Sequence, residues 1–415
     1  MDDIDSLTKF LKKSEVWFKY EILDLLRAKT LQALHIDFAE LRKMTTEELL
    51  KIPYEDNGEI SEKFPKFAAF IKECNEMSIM NTPPAALPER AIPSELFHKV
   101  KEKKAYELSQ IMPLILTELE KAKVETVIDI GCGVGNMLRI LNHFGYYTIG
   151  IESDHLYAEL ARNNNPKSDI IETHLDNDNI FDLLVNLQHN RDTPTAIISL
   201  HGCGDLQSTI LTLFTSVDRV DFPVLVTVGC CYNKRNSAEI LSEAVAKSLN
   251  DNELHISPSA MRLAGDRGLQ FWKDQPKETL EFHANCMFKR AMIHLCFSDR
   301  KNYRNYRGRI GDLPDDPALF AQTMLLDYEG QHNGRLTSSQ QHDLTQKVQA
   351  YQPCKPWIQR LAIMQAALQG PLESLLQLDA YHYLLENGRP TARLVPVFDA
   401  TRSPRNMAIV YNAAD

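Results

Sequence analysis

The run Val127-Ile128-Asp129-Ile130 leads into Gly131-Cys132-Gly133-Val134-Gly135-Asn136, so a β-branched apolar segment meets a glycine-rich turn. Such a segment reads as a buried strand, and glycines there let the backbone approach a ligand where a Cβ would collide. A dinucleotide fingerprint places its third glycine where this chain has Asn136. The spacing here is G-x-G-x-G, which points to S-adenosylmethionine rather than a nicotinamide cofactor, since no pyrophosphate has to sit on the helix N-terminus. Gly131, Cys132, Gly133 and Gly135 are then the expected cofactor loop, with Asp129 orienting it or meeting the methionine amino group. Glu152 closes the next run, Ile149-Gly150-Ile151-Glu152, where an acidic side chain reaches ribose hydroxyls. Asp176 follows the third run, either as acceptor from the adenine amino group or as part of a surface turn.

Two further segments carry groups able to move a proton. Ser199-Leu200-His201-Gly202-Cys203-Gly204-Asp205-Leu206 follows the fourth apolar run, and Val228-Gly229-Cys230-Cys231-Tyr232-Asn233-Lys234 follows the fifth. In a doubly wound sheet both lie at the carboxyl edge, beside the cofactor. A hydroxyl acceptor needs deprotonation, for which His201 or Asp205 is the candidate base; a histidine that merely caps a strand end is the competing reading. His201 also borders the expected cofactor site, and Cys230, Tyr232 and Asn233 are expected on the substrate rim. Cys203 as a covalent nucleophile lacks the neighbouring prolines of 5-methylcytosine enzymes. Adjacent Cys230 and Cys231 suit neither an easy disulfide nor paired metal ligation. His283, Cys286 and Cys296 fall short of four ligands, so no metal site is expected. Lys103 or Lys104 can reach the methionine carboxylate from a preceding helix, or is simply solvated.

The stretch Arg300 to Arg309 holds five basic residues in ten positions, in a chain whose net charge is −10. The global charge argues against a whole-surface nucleic-acid binder, whereas a local basic field still attracts an anionic partner. Arg304, Arg307 and Arg309 are candidates for RNA phosphates, with Tyr303 and Tyr306 stacking on bases. The alternative is a solvated segment paired with Asp312, Asp315 and Asp316.

Strand-like runs at Val124–Ile130, Tyr147–Glu152, Asp169–Leu175, Thr195–Leu200 and Val224–Val228 alternate with helical ones, which predicts a parallel sheet covered by helices. Leu394–Phe398 and Met407–Tyr411 predict a terminal antiparallel hairpin. The expected fold is therefore α/β, a Rossmann-like class I methyltransferase with a mainly parallel seven-stranded sheet. Its expected organisation is a helical region over 1–80, a Pro-rich linker over 81–93, the cofactor-binding core over 94–235, a helical insertion over 236–370, and a C-terminal helix and hairpin over 371–415. Thr45 to Glu48 has capping-box spacing, and Pro113 is expected to kink a helix or start a second segment. The hydrophobic fraction of 44% and charged fraction of 25% are those of a globular chain. Reduced cysteines and an acidic N-terminus without an apolar leader suggest a cytoplasmic or nuclear protein with no membrane segment.

On the His201–Leu206 and Val228–Tyr232 segments the chain resembles the methyltransferase-like 25 family, once labelled as ribosomal RNA adenine dimethylase domain proteins, whose elements there are HTCGDL and VGCCY. Lys103-Lys104-Ala105-Tyr106-Glu107 is similar to its KKxHE element and Ser403-Pro404-Arg405-Asn406 to its SPRN. Tyr106 stands in place of the family's histidine and Gly202 in place of its threonine. Adenine amine methylation normally uses an NPPY-type tetrapeptide after the fourth strand. The histidine-cysteine-glycine turn followed by a double cysteine is closer to acceptor-stem tRNA ribose 2′-O-methyltransferases, with their similar KHLCG and LCCHH. The resemblance implies methyl transfer from S-adenosylmethionine to a macromolecule, RNA before protein. A protein methyltransferase and a catalytically silent S-adenosylmethionine sensor are the alternatives.

Overall fold

The computed structural model describes residues 3–20, 26, 39–53, 58–176, 179, 193–235, 239–296, 310–332 and 337–415. Seven strands form one sheet: β1 (Thr126–Ile130), β2 (Tyr147–Glu152), β3 (Asp169–Glu172), β4 (Thr195–Cys203), β5 (Val224–Cys230), β6 (Arg393–Pro396) and β7 (Met407–Asn412). Their order is β3-β2-β1-β4-β5-β7-β6. Neighbours among β1 to β5 pair in parallel, while β7 runs antiparallel to both β5 and β6. This is the Rossmann-like class I methyltransferase arrangement, with the expected terminal hairpin. After β3 the chain returns to the other side of β1, so a switch point opens at the carboxyl ends of β1 and β4, where ligands bind in open α/β sheets.

Side-chain alternation explains why the strands read as continuous apolar runs. Val127, Ala196, Ile198, Val224 and Val226 pack with Leu108, Ile111 and Ile140 on one face. Ile128, Ile197, Leu225 and Ile409 pack with Ile210, Phe214 and Leu384 on the other. A sheet covered on both faces has no polar side to alternate with.

Several expected strand limits need correction, three of them beside the cavity or at its margin. β3 stops at Glu172 instead of Leu175, because its partner β2 ends at Glu152, which lies opposite Glu172. β4 and β5 run on through His201-Gly202-Cys203 and Gly229-Cys230, with Cys203 opposite Cys230. The segments expected to follow those strands are therefore partly inside them, and loss of hydrophobicity marked the strand ends too early. A short 3-10 turn, Ser94–Phe97, precedes an uninterrupted helix, Glu102–Lys121. Pro113 lies within that helix without dividing it.

The chain forms two compact units. The first joins Met1–Lys12, Met77–Asp266 and Gly370–Asp415 and contains the whole sheet. Residues 83–93 carry no regular element there, and the Ala85 N–H donates to the Pro396 carbonyl at 2.7 Å. The second joins Lys13–Glu76 and Arg267–Gln369 and is helical. Phe64, Phe67, Trp272, Met292, Leu361 and Met364 are buried in it. The capping box at Thr45 and Glu48 is present, as is another at Thr337 and Gln340. No helix among the described residues is long and apolar enough to cross a membrane.

Candidate active site

A cavity of about 960 Å³ lies at the carboxyl edge of the sheet, lined among others by Gly131, Gly133, Glu152, Asp176, His201 and Asp205. The N–H groups of Gly131 and Cys132 donate to the Ile151 carbonyl at 2.9 and 3.1 Å, which ties the glycine turn to β2. Glu152 then fixes the turn from the other side. Its Oε2 accepts from the Gly133 N–H at 2.9 Å, and its Oε1 accepts from the Ser153 and Asp154 N–H groups at 2.8 and 2.9 Å. A carboxylate has about four acceptor positions, so after these bonds it retains capacity for a ligand hydroxyl. Gly135 has φ +78°, and a Cβ there would lie 2.2 Å from Asn165 Nδ2. That amide donates to the Gly135 carbonyl at 3.1 Å, so the turn demands glycine on both conformation and contact.

Asp129 is buried in β1 and does not line the cavity. Burial pushes its carboxyl up to about 7, with Lys104 acting in the opposite direction. Cys132 turns its sulfur into a small cluster with Leu138, Ala161 and Ile170, so only its backbone belongs to the turn. Burial raises that thiol. Asp176 is exposed at the cavity margin. Lys103 is not among the lining residues; its ammonium lies 3.7 Å from Glu107 Oε1.

Across the cavity, β4 departs from regular geometry. Its register against β5 shifts between Leu200 and Gly202, and His201 between them has φ +77°. An extra residue of this kind re-aims a side chain that would otherwise follow the pleat. His201 Nε2 lies 2.9 Å from Oε2 of Glu107, on the helix Glu102–Lys121. Ser403 donates its hydroxyl to the other oxygen of Glu107 at 2.8 Å, and Lys104 Nζ is 3.9 Å away. Glu107 is buried, which alone would raise its carboxyl, but the hydrogen bond and charge of His201, with Lys104 and Ser403, hold it at about 2. A neutral imidazole that donates Nε2–H to this carboxylate keeps Nδ1 as an acceptor. His201 is thus a side chain bordering the cavity whose tautomer is set from behind.

The expected substrate-side residues separate. Asp205 borders the cavity at the start of the helix Asp205–Ser216. Cys230 is buried, with its sulfur 3.0 Å from that of Cys203. The S–H of Cys230 holds the Cys203 thiol low, while Cys230 itself is pushed up. Tyr232 is not at the rim: it is buried, donates to Glu373 Oε1 at 3.2 Å and accepts from Gln377 Nε2 at 2.9 Å. An aromatic hydroxyl that finds two internal partners is held inward. Asn233 is exposed and is not a lining residue. Arg304 and Arg307, with the rest of the 300–309 stretch, lie outside the described residues.

Sequence reasoning assigned no role to Glu107 or Ser403, although the motifs containing both were visible. The signal was the set of three distant motifs, around residues 107, 201 and 403, which meet at one carboxylate. Other SPRN side chains are ties: Arg405 reaches Glu373 at 3.3 Å and the Ala264 carbonyl at 2.6 Å, and Asn406 donates to the Met80 carbonyl at 2.8 Å. Tyr106, at the family's histidine position, accepts from the Asp399 N–H at 2.8 Å and lies under the Arg402 guanidinium at 3.7 Å.

Residues 100–238 match the family described as a methyltransferase domain. The matched stretch runs from the helix bearing Glu107 through β5, and so includes the glycine turn, Glu152 and His201. The chain is similar to a Mus musculus protein described as "Probable methyltransferase-like protein 25", 23% identical over 237 residues, which cover 52% of this chain and 36% of the mouse protein. The chain thus spans about a third of the length of that curated relative. Among solved structures it is similar to the plantazolicin methyltransferase BamL, at 17% identity and a TM-score of 0.25 over 60% of this chain and 86% of that one. It is also similar to an S-adenosylmethionine-dependent methyltransferase from Anabaena variabilis, at 15% identity and a TM-score of 0.22 over 35% of this chain and 66% of that one. The fold assignment rests on the strand order and pairing of this chain.

Proposed function

We propose that the chain transfers a methyl group from S-adenosylmethionine to a hydroxyl of a macromolecule, with RNA as substrate. The observation that carries this reading is that His201, backed by Glu107, borders the same cavity as the glycine turn and Glu152. The cradle suits the cofactor: a Cβ on Gly133 would meet nothing within 4 Å, which leaves that side of the turn open, and the Glu152 carboxylate lies in the same lining. Gly131, Gly133 and Gly135 shape the turn, Glu152 accepts from the ribose hydroxyls, and Asp129 orients the turn from within β1. Bound S-adenosylmethionine supplies an electrophilic methyl group. His201 Nδ1 takes the proton of the acceptor hydroxyl as its oxygen attacks, and Glu107 stabilises the imidazolium that forms. Asp205 borders the acceptor side of the cavity.

The RNA assignment is supported by the His201-Gly202-Cys203-Gly204 and Cys230-Cys231 segments and by the basic stretch 300–309. Incubation of the purified protein with methyl-labelled cofactor and cell extract tests it, followed by separate nuclease and protease digestion. Label released by nuclease alone is the expected result. Label released by protease alone identifies a protein methyltransferase instead. Calorimetric cofactor binding without any labelled product identifies a sensor. Replacing Arg304, Arg307 and Arg309 with alanine should weaken RNA binding and flatten its salt dependence, since fewer counterions are released.

A further inference from the structure

Cys203, Cys230 and Cys231 place their three sulfurs within 4.8 Å of one another, the one such cluster of potential metal ligands among the described residues. Adjacent cysteines in an extended strand would point to opposite faces. Cys231 instead has φ +52°, in the left-handed region, and this turn at the end of β5 brings its sulfur to the same side as that of Cys230. Cys203 arrives from β4, directly opposite Cys230 in the sheet register. Two strand ends and a left-handed non-glycine residue are thus used to converge three soft ligands. Packing alone does not require such convergence, because a small apolar side chain fills a buried position as well as a thiol.

We propose that Cys203, Cys230 and Cys231 form a three-thiolate site for a soft divalent cation, Zn²⁺. Zinc–thiolate bonds of about 2.3 Å in tetrahedral geometry put sulfurs about 3.8 Å apart. The present spread of up to 4.8 Å, with the Cys203–Cys230 pair at 3.0 Å, reaches that arrangement through small side-chain rotations. Binding releases the thiol protons to solvent as thiolate ligands form. Three protein ligands leave one tetrahedral position. Cys203 borders the cavity, so that position falls to a water or a substrate atom entering from it. Metal binding here is independent of methyl transfer and is measured without it.

The 415-residue chain, reduced and stripped with a chelator, is titrated with Co²⁺ as spectroscopic stand-in and then with Zn²⁺. One equivalent of Co²⁺ giving a strong thiolate-to-metal charge-transfer band, displaced by Zn²⁺, is expected. Cys203→Ser and Cys231→Ser should each weaken Zn²⁺ binding at least about tenfold, by loss of one of three ligands, whereas Cys354→Ser, outside the cluster, should leave it unchanged. Zn²⁺ should also slow alkylation of Cys203 and Cys231 in the wild-type chain. Absence of the band overturns the proposal, as does a band that survives in both cluster variants. If those variants do not fold, unchanged alkylation of both cysteines in the presence of Zn²⁺ overturns it.

Discussion

The two sides of the cavity are built differently. On the β1–β2 side the ligand-facing groups come from neighbouring segments: Gly131, Gly133 and Glu152 lie on consecutive strand ends, tied by the Gly131 N–H to the Ile151 carbonyl and the Gly133 N–H to the Glu152 carboxylate. On the β4 side, a helix before the sheet, an irregular strand and the loop before β7 each supply one group, Glu107, His201 and Ser403. The first side is a local turn repeated wherever such a strand meets such a helix. The second exists only when the whole sheet and its terminal hairpin have assembled. Binding and chemistry should accordingly respond to different substitutions.

The largest expected effect tests that separation directly. His201→Ala should lower turnover by about 10²–10⁴, while cofactor affinity stays within a few-fold of wild type. Glu107→Gln should come close to it, because the glutamine amide can donate to Nε2 and thereby favours the tautomer with a proton on Nδ1, where the base must accept. Glu107→Asp should recover part of the loss. Turnover assays and calorimetry on the same samples check this; equal losses of affinity and turnover would make the β4 side a structural brace.

This division also governs what was legible beforehand. The glycine turn, Glu152 and the alternation of strands with helices follow from periodicity and spacing within short windows, and the glycine turn and Glu152 line one cavity. His201 was legible as a candidate but not its support, because nothing in the sequence around it points to a glutamate on an earlier helix. Strand limits in the same region were misjudged for a related reason. Polar and glycine residues normally end a strand, yet here β4 and β5 continue through them by pairing Cys203 with Cys230. Tyr232 was misplaced because its two partners, Glu373 and Gln377, lie on a helix far along the chain.

Asp129 offers the next test, on the binding side. Native Asp129 holds its proton up to about 7, whereas an unfolded aspartate releases it near its ordinary value of 3.8. Between those values the native state binds more protons, so its stability falls as pH rises through the window. Asp129→Asn avoids that loss and should stabilise the fold by roughly 2–4 kcal/mol above pH 7, with the gain vanishing below about pH 4, while weakening cofactor binding. Thermal melts across pH check it, and a gain independent of pH would mean that the native carboxyl is not protonated.

Glu152→Ala should cost about 1–3 kcal/mol of cofactor binding, from bonds to a charged acceptor, or roughly 5- to 150-fold in Kd. It also releases the Gly133, Ser153 and Asp154 N–H groups, so the glycine turn should loosen and exchange its amides faster. The fold itself should melt near the wild-type temperature, because the Glu152 side chain belongs to neither core cluster. Unchanged affinity in calorimetry would remove Glu152 from the binding side altogether.

The smallest effect concerns the bulge that aims His201. A side chain at φ +77° has a steric cost that glycine lacks. Glycine in turn loses more freedom on folding than alanine, which offsets part of that relief. His201→Gly should therefore be more stable than His201→Ala by up to about 1 kcal/mol, although both lack the base and should be equally inactive. At Leu200, one residue earlier and outside the positive-φ region, the order should reverse, with Leu200→Ala more stable than Leu200→Gly. Denaturant unfolding of the four variants makes the comparison. If His201→Ala is the more stable of its pair, the strand relaxes to regular pairing once the imidazole is gone, and the hydrogen bond to Glu107 is what holds the bulge in place.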